Sequence, residues 1–312
     1  MMILISEFMN DSAVEQLRTE FDVRYEPAFV DDPRKLHVAL EAADALIVRN
    51  RTQVDASLLV HAPKLRVVGR LGVGLDNIDT DECAVRGIEV IAATGANAVS
   101  VAEYVLTTAM MLLRGVYGSS SEVAAGRWPR AELSRGREIY GKTLGLIGFG
   151  SIGRLTARLA RGLGMRVVAH DPLLAADDAA WHEQDVARYT LEVLLAEADV
   201  ISLHVPLVAA TRGLINTSRF ASMKRTAVVI NTSRGGIIDE AALAAALRAG
   251  RLGGAALDVF ENEPLAAGSA LIGCTNLILT PHVAGVTQES SIRVGAMIAE
   301  RVAASLRSLR SR

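Results

Sequence analysis

Short aliphatic runs alternate with amphipathic stretches along the chain. In the first third the runs fall at residues 2–6, 45–48, 65–69 and 88–92, and residues 12–20 repeat apolar positions at helical spacing. An apolar, Ala-rich stretch at 99–113 predicts a longer helix, with Asn97 or Ser100 placed to cap it. A polar segment containing Gly and Ser, 115–141, separates it from a second series of runs at 143–147, 166–169, 200–204, 227–231, 255–259 and 277–279. Residues 288–312 are helical again and end in Arg307, Arg310 and Arg312, read as the solvated end of a helix. Apolar strands separated by helices predict an α/β chain built from two parallel-sheet halves.

Composition sharpens this picture. Of 312 residues 50% are hydrophobic but only 4% aromatic, so the core must be built from Ala, Val, Leu and Ile. The length suggests two domains. A formal net charge of -2 gives no electrostatic case for nucleic acid or an anionic membrane as a partner. Cys83 and Cys274 are too few for a disulfide framework or a metal-ligand cluster, so no metal is expected and both read as packing residues in a reducing compartment. The first residues reach Glu7 without the basic and long apolar regions of a signal peptide. No apolar stretch approaches the roughly 18 residues that span a bilayer. A soluble, cytoplasmic protein is the expectation.

Residues 142–153 carry Gly148-x-Gly150-x-x-Gly153 between an apolar run and a helix through 154–162. Gly148 permits a tight turn, Gly150 lets a pyrophosphate approach the backbone, and Gly153 lets helix and strand pack closely. The helix start offers N–H groups and partial positive charge to phosphates. Taken alone, the glycines also fit a strand–helix turn with no ligand. The next run, however, ends in Asp171, 18 residues past Gly153. A carboxylate there accepts the adenosine ribose hydroxyls and repels a 2′-phosphate, which predicts NAD over NADP. His170 beside it reads as a partly exposed strand-end residue.

Three later segments place polar residues directly after apolar runs: Asn231 to Gly236, Asp258 to Pro264, and Thr280 to Gly285. Ligands of open α/β sheets bind beyond the carboxyl ends of strands. Reduction of a 2-keto acid needs a cation for the carboxylate and carbonyl, and an acid for the developing alkoxide. Arg234 suits the first task, because guanidinium is always charged and grips carboxylate with two bonds. His282 suits the second, with Glu263 fixing its ring and stabilising imidazolium. In the oxidative direction neutral His282 acts as the base. Singly, each residue has a plainer reading: a turn cap or surface ion pair for Arg234, an exposed loop carboxylate for Glu263, a satisfied buried histidine for His282. Their order behind a dinucleotide motif favours catalysis.

With these motifs, and with His204-Val205-Pro206-Leu207, the chain resembles the D-isomer-specific 2-hydroxyacid dehydrogenase family. The family's Arg, Glu and His match Arg234, Glu263 and His282. The resemblance implies two Rossmann-like, doubly wound parallel-sheet domains. A cofactor domain at 98–286 is inserted into a discontinuous substrate domain at 1–97 and 287–312. It also implies NAD contacts from Gly148, Gly150, Ser151, Ile152, Gly153, Asp171, His204, Pro206, Thr211, Thr232, Ser233, Arg234, Asp258, His282 and Gly285, and a homodimer. Longer phosphoglycerate dehydrogenases carry a C-terminal regulatory domain. This chain stops before one, so serine-type feedback is not expected.

The segment from Gly69 to Asn77 ends a run in a glycine loop, where the N–H groups of Val73 and Gly74 suit a nest for a substrate carboxylate. Its plainer reading is a strand-to-helix turn. Arg49 and Arg70 resemble arginines of phosphoglycerate dehydrogenases. With Asn97, and Arg130 reaching across a dimer, they suit a substrate bearing a second anion. Arg51 and Arg127 fit surface contacts equally well. Residues 48–52, 69–79 and 126–130 are similar to sulfolactate dehydrogenases of this family and nearly as similar to phosphoglycerate dehydrogenases. The favoured pair is 3-sulfolactate and 3-sulfopyruvate. Alternatives are 3-phosphoglycerate, hydroxypyruvate or glyoxylate and, more distantly, an NAD(H)-sensing corepressor-like binding protein. An L-lactate or malate dehydrogenase is disfavoured because the glycine motif follows a complete smaller domain. Formate dehydrogenases carry Gln where this chain has Glu263.

Overall fold

The computed structural model describes residues 1–311, so Arg312 of the basic tail lies outside the described residues. The chain divides into two compact units, Met1–Asn97 with Val286–Arg312, and Ala98–Gly285.

In the first unit, strands β1 (Met2–Ile5), β2 (Asp22–Tyr25), β3 (Ala45–Val48), β4 (Val67–Arg70) and β5 (Glu89–Ala92) form one sheet. All neighbours are parallel, in the order β2-β1-β3-β4-β5. Side chains alternate between two faces, so Ile3, Ile5, Ile47 and Val67 pack with Ile298 and Val302 on one side. Leu4, Leu46, Val48 and Val68 pack with Leu36, Leu40 and Leu59 on the other. The helix Gln288–Arg310 opens on a capping box between Thr287 and Ser290 and lies over β4. Gly69 makes that approach possible, since a Cβ there would stand 2.8 Å from Val302 and 2.9 Å from Ile298.

In the second unit, strands β6 (Thr143–Ile147), β7 (Arg166–His170), β8 (Ala187–Arg188), β9 (Val200–Leu203), β10 (Val228–Asn231), β11 (Gly254–Leu257) and β12 (Leu277–Leu279) form a parallel sheet. Its order is β12-β11-β10-β9-β6-β7-β8. Helices Ala98–Arg114 and Ser151–Gly162 cover one face, against Leu144, Leu146, Val228 and Ile230. Helices Leu191–Glu197, Thr217–Ser222 and Glu240–Arg248 cover the other, against Ile201, Val229 and Ala255. The chain runs from β6 to β7 on one side and returns to β9 on the other. Between β6 and β9 the loops beyond the carboxyl ends therefore diverge and leave a crevice.

Several local expectations need correction. The helix read over 99–113 spans Ala98–Arg114, so Ser100 lies buried within its first turn, past the N-cap position. Asn97 precedes the helix, yet its Oδ1 is buried without a hydrogen-bond partner and caps nothing. Strand β2 was not foreseen because its residues alternate between exposed and half-buried, as suits a sheet edge. Among the described residues no single helix is long and apolar enough to cross a membrane.

Candidate active site

The dinucleotide loop is built by three glycines with different tasks. Gly148 takes φ +95°, and a side chain there would collide with the His204 carbonyl oxygen. At Gly153 a Cβ would lie 2.5 Å from the Gly148 oxygen, so only glycine lets the helix seat on the turn. A Cβ at Gly150 would meet nothing within 4 Å, which leaves open space before the N–H groups of the Ser151–Gly162 helix. Asp171, just past β7, accepts from Phe149 N at 2.9 Å through Oδ2 and from Leu173 N at 3.0 Å through Oδ1. Both oxygens keep lone-pair capacity for ribose hydroxyls. Beyond β10, Thr232 Oγ1 is buried with no partner, a group that a ligand at the strand ends would satisfy. Loop, carboxylate and orphaned hydroxyl fit a nicotinamide dinucleotide.

His282 owes its position to Asp258, which is 1% exposed after β11. Asp258 Oδ1 accepts from Thr280 Oγ1 at 2.6 Å and Val283 N at 2.8 Å, and Oδ2 from Ala284 N at 2.8 Å. Its own carbonyl accepts from His282 N at 2.8 Å. Wrapped around this carboxylate, His282 adopts φ +57°, a left-handed conformation that non-glycine residues seldom take. The turn sets His282 Nδ1 2.7 Å from Glu263 Oε2 and keeps the imidazole about half exposed. Glu263 is fixed in turn, since its Oε1 accepts from Phe260 N at 3.0 Å. With Nδ1 donating to the carboxylate, Nε2 is the nitrogen left to face a substrate oxygen.

Arg234 sits in a loop folded on itself. Asn231 Nδ2 donates to the Arg234 carbonyl at 2.9 Å, Ser233 N donates to Asn231 Oδ1 at 3.0 Å, and Arg234 Nη1 donates to the Ser233 carbonyl at 2.6 Å. Next to it, Gly235 lies so close to the Phe260 carbonyl that any side chain would overlap it. The Arg234 loop is thereby locked to the loop that carries Glu263.

Other expected contacts are differently placed. The Thr211 hydroxyl donates to the Pro206 carbonyl at 2.5 Å and accepts from Val208 N at 2.8 Å, so it braces its own loop. Ser233 Oγ is likewise committed to the Leu203 carbonyl. His204 lies after β9 with Nε2 3.0 Å from Ser202 Oγ, and desolvation pushes its pKa down to about 4, so the ring is neutral. Ser151 and Pro206 are exposed, and Ile152 and Gly285 are half-buried, all at the carboxyl-end loops of the same sheet. A cavity of about 290 Å³ bordered by Arg114, Arg137, Arg225 and Asn276 lies at the opposite, amino-terminal edge of that sheet.

In the first unit, Arg49 follows β3 and is half-buried, and the Arg70 guanidinium occupies the space a Gly72 side chain would need. Val73 and Gly74 follow in the same loop and are half-buried. Arg51 is paired with Asp31, and Arg127 lies 3.7 Å from Glu122, both exposed surface contacts. Arg130 is exposed at the start of the short helix Arg130–Leu133 in the second unit.

Two supports escaped the sequence reading. Tyr104, on the helix Ala98–Arg114, lies with its hydroxyl 2.6 Å from Thr280 Oγ1. Thr280 already donates to Asp258, so Tyr104 is the donor of that pair. Burial pushes the Tyr104 phenol up, against the opposing effect of the Thr280 bond, and keeps it a neutral donor. Glu7, past β1, accepts from a run of backbone N–H groups at the Arg49 loop. Nothing in either side chain's sequence context announces these contacts.

Fold and site together define an NAD-dependent oxidoreductase acting on 2-hydroxy acids. The profile of the D-isomer specific 2-hydroxyacid dehydrogenase, NAD binding domain, matches residues 106–284. The (S)-sulfolactate dehydrogenase of Chromohalobacter salexigens is 54% identical over 304 residues, 97% of this chain and 98% of that protein. A D-3-phosphoglycerate dehydrogenase of Mycobacterium leprae is 39% identical over 97% of this chain, which spans 56% of that longer protein. Among solved structures, a D-lactate dehydrogenase of Aquifex aeolicus complexed with NAD and lactic acid aligns with a TM-score of 0.84 at 27% identity, covering 99% of this chain and 96% of that one. The chain belongs to the D-isomer specific 2-hydroxyacid dehydrogenase family.

Proposed function

We propose that the protein interconverts a D-2-hydroxy acid bearing a second anionic group with its 2-keto acid, and that 3-sulfolactate and 3-sulfopyruvate are the pair. The observation that carries the chemistry is the 2.7 Å contact of Glu263 Oε2 with His282 Nδ1. The choice of acid is supported by Arg49 and Arg70 at the loops of the first sheet, and by the likeness to a sulfolactate dehydrogenase over nearly its whole length. The label S does not conflict with a D-specific family. A sulfomethyl carbon outranks a carboxyl carbon, so the spatial arrangement called R in D-lactate is called S once sulfonate is added.

Gly148 to Gly153, Asp171 and Thr232 would hold a nicotinamide dinucleotide, which would supply hydride transfer at the α carbon. In reduction Arg234 holds the substrate carboxylate and polarises its carbonyl. His282 Nε2 donates the proton that the alkoxide acquires, and Glu263 keeps the ring oriented and stabilises the imidazolium left by the reverse transfer. In oxidation neutral His282 accepts the hydroxyl proton. Within the first unit, the Val73 and Gly74 N–H groups form a nest suited to an anion, and Arg49 suits the second anion of such an acid.

Initial rates of NADH oxidation with 3-sulfopyruvate, 3-phosphohydroxypyruvate, hydroxypyruvate and glyoxylate test this reading. The expected kcat/KM for 3-sulfopyruvate exceeds that for hydroxypyruvate by at least about 100-fold, the scale of a lost charged contact. Comparable rates on hydroxypyruvate would remove the second anion from the account. Tight NADH binding without turnover of any keto acid would favour an NADH sensor. The same reading makes the protein a cytoplasmic homodimer, with Trp128 at 74% and Tyr140 at 73% exposure offered to a second copy. Sedimentation velocity at the mass of one chain would oppose that assembly.

A further inference from the structure

At the carboxyl end of the first sheet lies a buried polar cluster that the chemistry above does not use. Glu7 is 4% exposed, Ser6 0%, Thr52 5% and Asn77 7%. Glu7 Oε1 accepts from the backbone N–H of Arg49 and of Thr52, each at 2.9 Å. Oε2 accepts from Arg51 N at 3.1 Å and Asn50 N at 3.3 Å. Four successive N–H groups thus converge on one carboxylate. Burial alone would raise the Glu7 pKa, but the N–H donors of Thr52, Arg49 and Arg51 outweigh it and leave the carboxyl below its ordinary value, hence charged. Successive N–H groups of this kind form an anion nest, and here the chain supplies its own anion.

The cluster extends to the neighbouring loop. Asn77 Nδ2 donates to the Thr52 carbonyl at 2.7 Å, and the Ser6 and Thr52 hydroxyls are 3.1 Å apart. The Asn77 carbonyl accepts from Val54 N at 2.8 Å, and Leu71 N donates to the Val48 carbonyl at 2.8 Å. One network therefore ties the loop after β3, which bears Arg49, to the glycine loop after β4, which bears Val73 and Gly74. A neutral turn would join two loops without the desolvation that a buried carboxylate demands. What the carboxylate adds is a fixed orientation of four consecutive peptide units, and so of the bond from which the Arg49 side chain departs.

We propose that Glu7, supported by Asn77, is a positioning residue that fixes the spacing of these two loops and thereby the preference for a substrate with two anions. The inference rests on Arg49 as a ligand for the second anion, as read above.

Glu7→Gln tests it, because the amide keeps one acceptor oxygen and sets an NH2 against two of the N–H donors. Steady-state kcat and KM with NADH are measured for glyoxylate and for the better of 3-sulfopyruvate and 3-phosphohydroxypyruvate, in wild type, Glu7→Gln, Glu7→Asp and Arg49→Ala. Amide hydrogen exchange over residues 49–52 is followed in parallel. The expected result for Glu7→Gln is a KM for the dianion raised about tenfold or more, glyoxylate kinetics unchanged, and faster exchange at 49–52. Glu7→Asp, which keeps the charge, regains part of the preference. Equal losses on both substrates, or a wild-type preference retained in Glu7→Gln, would overturn the proposal. Should Arg49→Ala abolish the preference while Glu7→Gln leaves it intact, the positioning role alone fails. Should wild type show no preference, or Arg49→Ala not alter it, the second-anion reading fails and this inference with it. If Glu7→Gln does not fold, Asn77→Ser loosens the same frame without exposing a buried charge. A smaller loss of preference is then expected, and an unchanged one overturns the proposal.

Discussion

Gly235 leaves room for a hydrogen and no more, because the Phe260 carbonyl occupies the place of a side chain. Gly235→Ala must push apart the loops bearing Arg234 and Glu263. The expected outcome is a loss of about 1–3 kcal/mol in denaturant unfolding, as for overpacking elsewhere, together with a fall in kcat. Arg234→Lys tests the guanidinium more gently. It keeps the charge but loses the two-pronged grip, so kcat/KM is expected to fall about tenfold or more while NADH affinity, read by fluorescence titration, is retained. At this scale the Glu263–His282 contact was legible in the sequence, because Arg234, Glu263 and His282, the residues proposed to react, each follow an apolar run closely enough to fall at a strand's end. Glu7 was not. It too follows an apolar run, but its partners are backbone N–H groups of residues 49–52, and no residue type advertises those. The bracing of its own loop by the Thr211 hydroxyl was equally hidden, since its partners there are backbone groups.

Among elements, the strands buried on both faces declared themselves by unbroken aliphatic runs, as in Ala45–Val48 and Val228–Asn231. Strand β2, half solvated at the edge, has no such run and was missed, and β8, with two exposed residues, gave no signal. The helix Ala98–Arg114 was recognised as a long apolar helix, but its link to the site was not. Tyr104 reaches Thr280 across 176 positions of sequence, a contact that only the folded sheet creates. That helix therefore braces the turn holding His282. Tyr104→Phe removes one donor and is expected to cost about 1 kcal/mol of stability and to lower kcat while leaving NADH affinity unchanged. Thr280→Val removes the acceptor of the Tyr104 hydroxyl and one of the two bonds to Asp258 Oδ1, so its cost should be larger, about 1–3 kcal/mol. Equal stability and kcat in all three proteins would show that the brace is idle.

For the whole molecule, His204 links pH to stability. Its pKa lies at about 4 in the folded chain against 6.5 in an unfolded one. Between those values the unfolded chain takes up a proton that the folded chain refuses. The contribution is complete above about pH 6.5, is lost as pH falls toward about 4, and amounts to an order of 3 kcal/mol at most. Urea unfolding across that range should show stability falling with pH, with a shallower slope in His204→Gln. An identical slope in that variant would place the linkage elsewhere.

The proposed chemistry depends on the imidazole that Asp258 and Glu263 hold in place. Its most direct test is stopped-flow NADH oxidation by His282→Gln beside wild type, with the preferred keto acid and with NADH affinity measured on the same samples. The account predicts unchanged NADH affinity and a kcat lower by about 10²–10⁴-fold, the usual worth of a positioned general acid. A kcat within a few-fold of wild type would contradict it.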